Sequence, residues 1–293
     1  MYKSIFSLIL QFLFIGILSA QGINEYAAHS YLRNGNAQAY MSPLVDLMGS
    51  SIHASSLSYV HPDTTRNFHL YIGIYGTAAF IPESMKSFNG ITEAPFSPTK
   101  TLKAPTIFGD NNTQIIYDES GNAYTFPGGF DIKQINLVFP IIHVGTFFHT
   151  NFSGRFLAMD VGGDFKRIEV YGIGFNHFIS DYWKAKNYFV SVGGSYNQFK
   201  LGDYLLGKNI LAQITGGQQL GLFNYYVYGQ WQKTPYEFYY EDEIDGNGTI
   251  EINGENEIRF GAGCGIKLWK FYLHAEASVF KPLVTSVGIG LQF

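Results

Sequence analysis

The chain has 293 residues and a formal net charge of −4, with 46% hydrophobic, 17% aromatic and only 14% charged residues. Soluble domains carry about 25% charged residues, so this surface is short of charge and rich in rings. A mildly acidic balance without a basic cluster excludes a nucleic-acid footprint, and the single Cys264 excludes an internal disulfide framework.

The first element in chain order is a targeting segment. Lys3 precedes apolar runs at Ile5–Leu10 and Phe12–Leu18, and Ser19-Ala20 supplies the small residues a signal peptidase requires. Gln11 interrupts the run, which is shorter than the roughly 20 apolar residues a membrane-spanning helix needs. Residues 1–20 are therefore expected to be a cleaved secretory signal peptide. No later stretch is apolar for long enough to cross a bilayer as a helix, so any membrane insertion must use strands.

Residues 21–48 form an N-terminal segment in which Tyr26–Leu32 and Met41–Leu47 are expected to make short helices that plug or brace a lumen. From residue 49 onward, apolar and small or polar residues alternate with period two, the pattern of strands with two unlike faces. Strands are expected at 50–60 and 67–81, the latter with Phe68, Leu70, Ile72 and Ile74 opposite His69, Tyr71, Gly73 and Tyr75. Residues 83–130 break the alternation. Pro82, Pro95, Pro98, Pro105 and Pro127, half of the chain's ten prolines, mark this stretch as a long loop.

Alternation resumes at 131–142, 145–159, 166–179, 187–200, 207–218 and 220–233. A second long loop follows at 235–256, with the acidic run Glu241-Asp242-Glu243 and the sequence Asp245-Gly246-Asn247-Gly248. That sequence reads as a hairpin turn. An EF-hand would need glycine where Ile250 stands, so no metal site and no cofactor are expected.

The final strands are expected at 256–268, 270–280 and 282–293. Ile258, Phe260, Ala262, Cys264, Ile266 and Leu268 form an oily face opposite Arg259, Gly261, Gly263, Gly265 and Lys267. A tight turn at Trp269-Lys270 would bring the next oily face, Phe271 to Val279, to the same side. The last strand puts Val287, Ile289, Leu291 and Phe293 on one face and ends on the aromatic, which resembles the signal read by the outer-membrane barrel-assembly machinery. Antiparallel bacterial barrels close with an even number of strands, so these runs predict about 12 strands, within a range of 10–14.

Period two alone would also suit a soluble β-sandwich. Three features favour a barrel: polar faces built from glycine, serine, asparagine and tyrosine, aromatics near strand ends, and the terminal amphipathic strand. The expected fold is a single transmembrane antiparallel up-and-down barrel over residues 49–293.

Tyr40-Met41-Ser42-Pro43 with Leu44–Gly49, the strand end Ala79-Phe80-Ile81-Pro82, and Ala104-Pro105-Thr106-Ile107-Phe108-Gly109 resemble, in order and spacing, a family of Bacteroidota outer-membrane proteins of unknown function. The resemblance implies an outer-membrane barrel preceded by an N-terminal segment, and implies no activity. More distantly the chain is similar to outer-membrane transporters of the long-chain fatty-acid type, although Met41-Ser42-Pro43-Leu44 stands where an Asn-Pro-Ala would be.

Charges at mid-membrane are costly and should point inward. The candidate lumen-lining residues are His149, Asn151, Ser153, Arg155, Arg259, Lys267, His274 and Glu276, with Arg259 and Glu276 placed to pair diagonally. A Ser–His catalytic pair is not supported, because His149 and Ser153 would lie roughly 13 Å apart along one strand, so the chain is not expected to be an enzyme. The expected function is an outer-membrane, Gram-negative barrel acting as a channel or transporter for small, hydrophobic compounds. The alternatives are a plugged structural or surface-interaction barrel and a secreted soluble β-sandwich binding protein. The expected partners are outer-membrane lipid, the barrel-assembly machinery and a small hydrophobic ligand.

Overall fold

The computed structural model describes residues 35–57, 68–160, 167–183, 187–240, 248–279 and 282–293. The expected signal peptide, Tyr26–Leu32 and the acidic run at 241–243 lie outside them. The chain divides into two units, one comprising residues up to Leu44 with Phe80–Leu137 and the other Val45–Ala79 with Val138–Phe293.

The helix α1 (Gly35–His53) contributes to both units, and so does β1 (His69–Phe80). The first unit also holds two hairpins, β2 (Ser87–Ile91) with β3 (Thr101–Pro105), and β4 (Gln114–Tyr117) with β5 (Ala123–Phe126). The long loop expected at 83–130 is thus structured. Asn36 ties the start of α1 into this unit: its Nδ2 donates to Ile91 O (2.7 Å), Glu93 Oε1 (3.1 Å) and the Tyr124 hydroxyl (3.0 Å), while Ile91 N–H donates back to Oδ1 at 3.0 Å. The stretch Ala104–Gly109, noted for its sequence, is buried here. Gly129 closes against it so tightly that a Cβ would stand 2.3 Å from Thr106 O.

The second unit is built on a closed ring. After β1 come β6 (Gln134–Gly145), β7 (Thr150–Asp160), β8 (Arg167–Phe178), β9 (Tyr188–Leu201), β10 (Leu205–Leu220) and β11 (Phe223–Lys233). The hairpin β12 (Pro235–Tyr240) and β13 (Gly248–Asn253) precedes β14 (Ile258–Leu268), β15 (Phe271–Val279) and β16 (Leu283–Gln292). Each ring strand bonds its sequence neighbour in the ring, β11 bonds β14, and β16 bonds β1, so ten strands close the barrel. Leu70 and Phe293 exchange backbone hydrogen bonds of 3.0 and 2.8 Å at the seam. The count lies at the low end of the expected range, with β12 and β13 attached outside the ring through β10. A closed ring also removes the β-sandwich alternative.

Burial is inverted relative to a soluble protein. Outward residues are large and apolar, such as Val227 (63% exposed), Ile173 and Val287, while the inward face buries Ser191, Asn197 and Arg259. The β14–β15 register matches the expected hairpin: Phe260 faces Val279, Cys264 faces Ala275 and Leu268 faces Phe271 around a two-residue turn at Trp269-Lys270. Val287, Ile289, Leu291 and Phe293 all lie on the exposed outer face. Aromatic residues crowd one rim, with Phe147, Phe148, Tyr182, Trp183 and Trp269 all more than 60% exposed. Such rings favour a membrane–water interface, where one end is apolar and the other wet.

One expected strand is absent. Residues 50–53 continue α1, and 54–57 turn out of it. Every residue from Val45 to His53 is buried, and a helix buried on all sides carries no amphipathic stripe. The run Ser50-Ser51-Ile52-His53, small, apolar and polar residues mixed, is therefore as compatible with a strand as with a helix.

Candidate functional site

The candidate site is the barrel lumen, and its shape follows from the residues that alternate inward. Gly263 and Gly290 leave room for rings from neighbouring strands: a Cβ at Gly263 would lie 2.4 Å from Tyr226 Cζ, and one at Gly290 would lie 2.4 Å from Tyr71 Cζ. Glycine on the inward face is thus the complement of an inward tyrosine lying along the wall, the packing by which aromatics protect strand glycines. Tyr71, Tyr75, Tyr272 and Ile141 form one buried cluster, and Phe178, Phe189, Tyr226 and Tyr228 another. His143 and His274 pack against the first, with ring centroids 5.5 Å from Tyr71 and 4.5 Å from Tyr75.

The chain's own segment Val45–Leu57 also lies in the lumen, against these inward residues. Val45, Leu47 and Ile52 are wholly buried, and Val45–His53 spans about 12 Å at the helical rise. Gly49 lets this segment approach the wall, since a Cβ there would stand 2.5 Å from Thr234 Cγ2.

Four polar contacts hold the segment along its length. Asp46 Oδ1 accepts backbone N–H bonds from Glu255 (2.7 Å) and Asn256 (3.3 Å). Arg259 donates to Ser50 Oγ at 2.9 Å, and also to Ser278 Oγ (2.5 Å) and Pro282 O (2.8 Å) on the wall. Arg155 donates to Ile52 O at 2.7 Å. The guanidinium shares the Ile52 carbonyl with the Ser56 hydroxyl, which donates to it at 3.4 Å, and a cation at this last turn opposes the negative end of the helix dipole.

The fourth contact closes the helix. Ser55 has a left-handed backbone, φ 59°, and donates its N–H to Glu276 Oε1 at 2.7 Å. Tyr226 donates its hydroxyl to the other oxygen of Glu276 at 3.1 Å, and Ser55 Oγ donates to Ser286 Oγ at 2.6 Å. His274 Nε2 lies 3.4 Å from Ser55 Oγ. The carboxylate thus joins the turn after α1 to three strands of the wall.

Of the residues predicted to line the lumen, Asn151, Arg155, Arg259, His274 and Glu276 are buried on the inward face, and Ser153 lies half-buried on it. Lys267 shares the face but sits at the end of β14, half-buried and opposite Tyr272. His149 does not belong to the set. It occupies the β6–β7 turn with φ 56°, and its Nδ1 is 2.9 Å from Asp181 Oδ2. The expected Arg259–Glu276 pair does not form either, because each is drawn to a different position on the plug. Gly263, not a residue nearer Arg259, faces Glu276 across the hairpin.

Ser50, Ile52 and Ser55 were not legible as site residues, since in sequence they sit in a run read as strand. Among the described residues no group of three or more His, Cys, Asp or Glu side chains is placed to hold a metal ion.

A closed antiparallel ring with a buried polar interior and an exposed apolar outer wall is the fold of outer-membrane β-barrels. Within that class, the chain belongs to the DUF6588 family, a family of unknown function whose model matches residues 1–293. No curated protein matches the chain in sequence.

Among solved structures it is similar to a loop-deletion mutant of OmpT from Vibrio cholerae, with 9% identity, 78% of this chain and 99% of that chain covered, and a TM-score of 0.29. It is also similar to the toluene transporter TbuX of Ralstonia pickettii, with 10% identity, 78% and 88% coverage and a TM-score of 0.25. A Pseudomonas aeruginosa FadL homologue gives 7% identity, 77% and 88% coverage and a TM-score of 0.23.

Proposed function

We propose that the chain is a plugged barrel of the outer membrane of a Gram-negative bacterium, closed to solutes in this state, whose work is done by the parts that leave the barrel. The observation that carries this reading is the plug: Val45–Ser55 occupies the lumen and is bonded to Arg155, Arg259 and Glu276 of the wall. Ten strands enclose little more than the side chains that point inward, and open aqueous channels belong to larger rings.

The membrane location rests on the exposed apolar wall and the aromatic rim. Short turns of such barrels face the periplasm and long connections face outward. The two-residue turns after β10 and β14 would then be periplasmic, while the 81–133 and 234–257 connections would be outside. A Bacteroidota source rests on the sequence resemblance alone. In this reading the chain is not an enzyme, and its inward charges hold the plug instead of performing chemistry.

A second reading, a transporter of small hydrophobic compounds gated by the plug, is favoured by the lumen's aromatic lining of Tyr71, Tyr75, Tyr226 and Tyr272. Planar-bilayer conductance and vesicle uptake of a small aromatic hydrocarbon separate the two. A silent wild-type barrel without uptake supports the plugged reading. Steady conductance or uptake overturns it.

A further inference from the structure

We infer that the outer edge of β13 is a docking site for a basic, extended peptide segment of another protein, which would add to the sheet as one more strand. The inference rests on the reading that the parts outside the barrel do the work. It starts from a strand with one neighbour among the described residues: β13 bonds β12 over Gly248–Asn253 and ends the sheet, so its other side presents backbone donors and acceptors that no described strand pairs. Natural edges are usually blunted by charged side chains, above all lysine, by proline or by a bulge, and the one charge on this edge is the exposed Glu251. Gly248-Thr249-Ile250-Glu251-Ile252-Asn253 contains neither lysine nor proline and pairs in unbroken register with Pro235–Tyr240.

Charge names the partner. Residues 235–257 carry eight Asp and Glu and no Lys, Arg or His. Within the described part, Glu237 is already taken, with Lys208 Nζ 2.7 Å from its Oε1 and the Tyr239 hydroxyl on its other oxygen at 2.5 Å. Glu251 stands opposite Glu237 in the ladder and is exposed, and among the described residues no lysine or arginine lies within ion-pair distance of it. Like charges placed opposite one another across strands are destabilising and unlike charges stabilising. A second copy of this edge would set Glu251 among carboxylates, whereas a strand with lysine or arginine at alternate positions would neutralise it. Strand addition draws affinity from main-chain hydrogen bonds and selects by the alternate side chains.

The test uses the full chain in zwitterionic nanodiscs and a fluorescent peptide of about eight residues alternating lysine with valine, with binding to empty nanodiscs subtracted. The expected result is saturable binding, with amide exchange over Gly248–Asn253 slowed about tenfold or more. Glu251→Lys should weaken binding at least about fivefold, and salt near 0.5 M should weaken it as well. A lysine–proline peptide of equal charge should not bind, because proline lacks the N–H that the edge requires. Equal binding of the lysine–proline peptide, binding without amide protection, or no binding overturns the inference. Planar-bilayer conductance of the same purified chain tests the plugged reading separately, since an open pore would leave the β13 result unchanged.

Discussion

Replacing Glu276 with alanine should free the plug. The carboxylate accepts two firm bonds from buried donors, the Ser55 N–H at 2.7 Å and the Tyr226 hydroxyl at 3.1 Å. Leaving a buried donor unmet costs about 1–3 kcal/mol, so the two together set a loss of about 2–6 kcal/mol. Removing a buried carboxylate returns part of this, because burying a charge is itself costly. A net loss of about 2–4 kcal/mol in the free energy of plug opening is expected, which speeds amide exchange about 30- to 1000-fold. Glu276→Gln keeps the oxygen that Ser55 uses and should stay within about 1 kcal/mol of the parent. Hydrogen exchange in nanodiscs, read on the peptide covering 45–57 with barrel-strand amides as the internal reference, measures both variants. If Glu276→Ala exchanges at the parental rate, or Glu276→Gln exchanges as fast as the alanine variant, the carboxylate is not the acceptor that holds the plug.

Val227→Lys tests the membrane-facing wall. Val227 is in the middle of β11 and 63% exposed, so lysine there should cost about 2–4 kcal/mol of folding free energy in vesicles; a neutral effect would contradict lipid exposure. Asn36→Ala removes a side chain making three donor contacts and accepting one. It should destabilise the Phe80–Leu137 unit by about 2–4 kcal/mol, seen as faster limited proteolysis there while the barrel keeps its heat-modifiable gel mobility.

The Asp118 carboxyl is held down to about 2, first by the Asn122 side chain and then by backbone N–H bonds from Ser97, Asn122 and Ser120. An acid with a depressed value contributes stability that is fully present above its ordinary value and is lost as pH falls through the folded one. Pepsin cleavage near residues 95–127 should therefore accelerate between about pH 4 and pH 2, and Asp118→Asn should flatten that dependence.

Much of this molecule is legible from the chain alone. The ten ring strands all appear as period-two runs, because each has one face in an apolar medium and the other in a packed lumen, so the pattern repeats without long-range information. The tight turn at Trp269-Lys270, the outward set Val287, Ile289, Leu291 and Phe293, and the inward Arg155, Arg259, His274 and Glu276 follow from the same alternation. Glycines facing inward at Gly263 and Gly290 are visible as a pattern too, but their reason, the neighbouring tyrosine rings, is not.

What only the tertiary structure decides lies where that local contrast fails. Met41–Leu47 is legible as a short helix that plugs or braces the lumen, but its continuation Ser50–His53 is buried on every side, so nothing in that run separates a helix inside a lumen from a strand. Arg259 and Glu276 share an inward face, but which partner each takes depends on a segment more than two hundred positions away in sequence. The hairpins of the 83–130 stretch are short and bounded by proline, with too few residues for a period to emerge. His149 falls one residue before β7, where parity still points inward, yet the turn reverses it toward Asp181. Alternation reports the medium on either side of a strand; it carries no information about what fills the space the strands enclose.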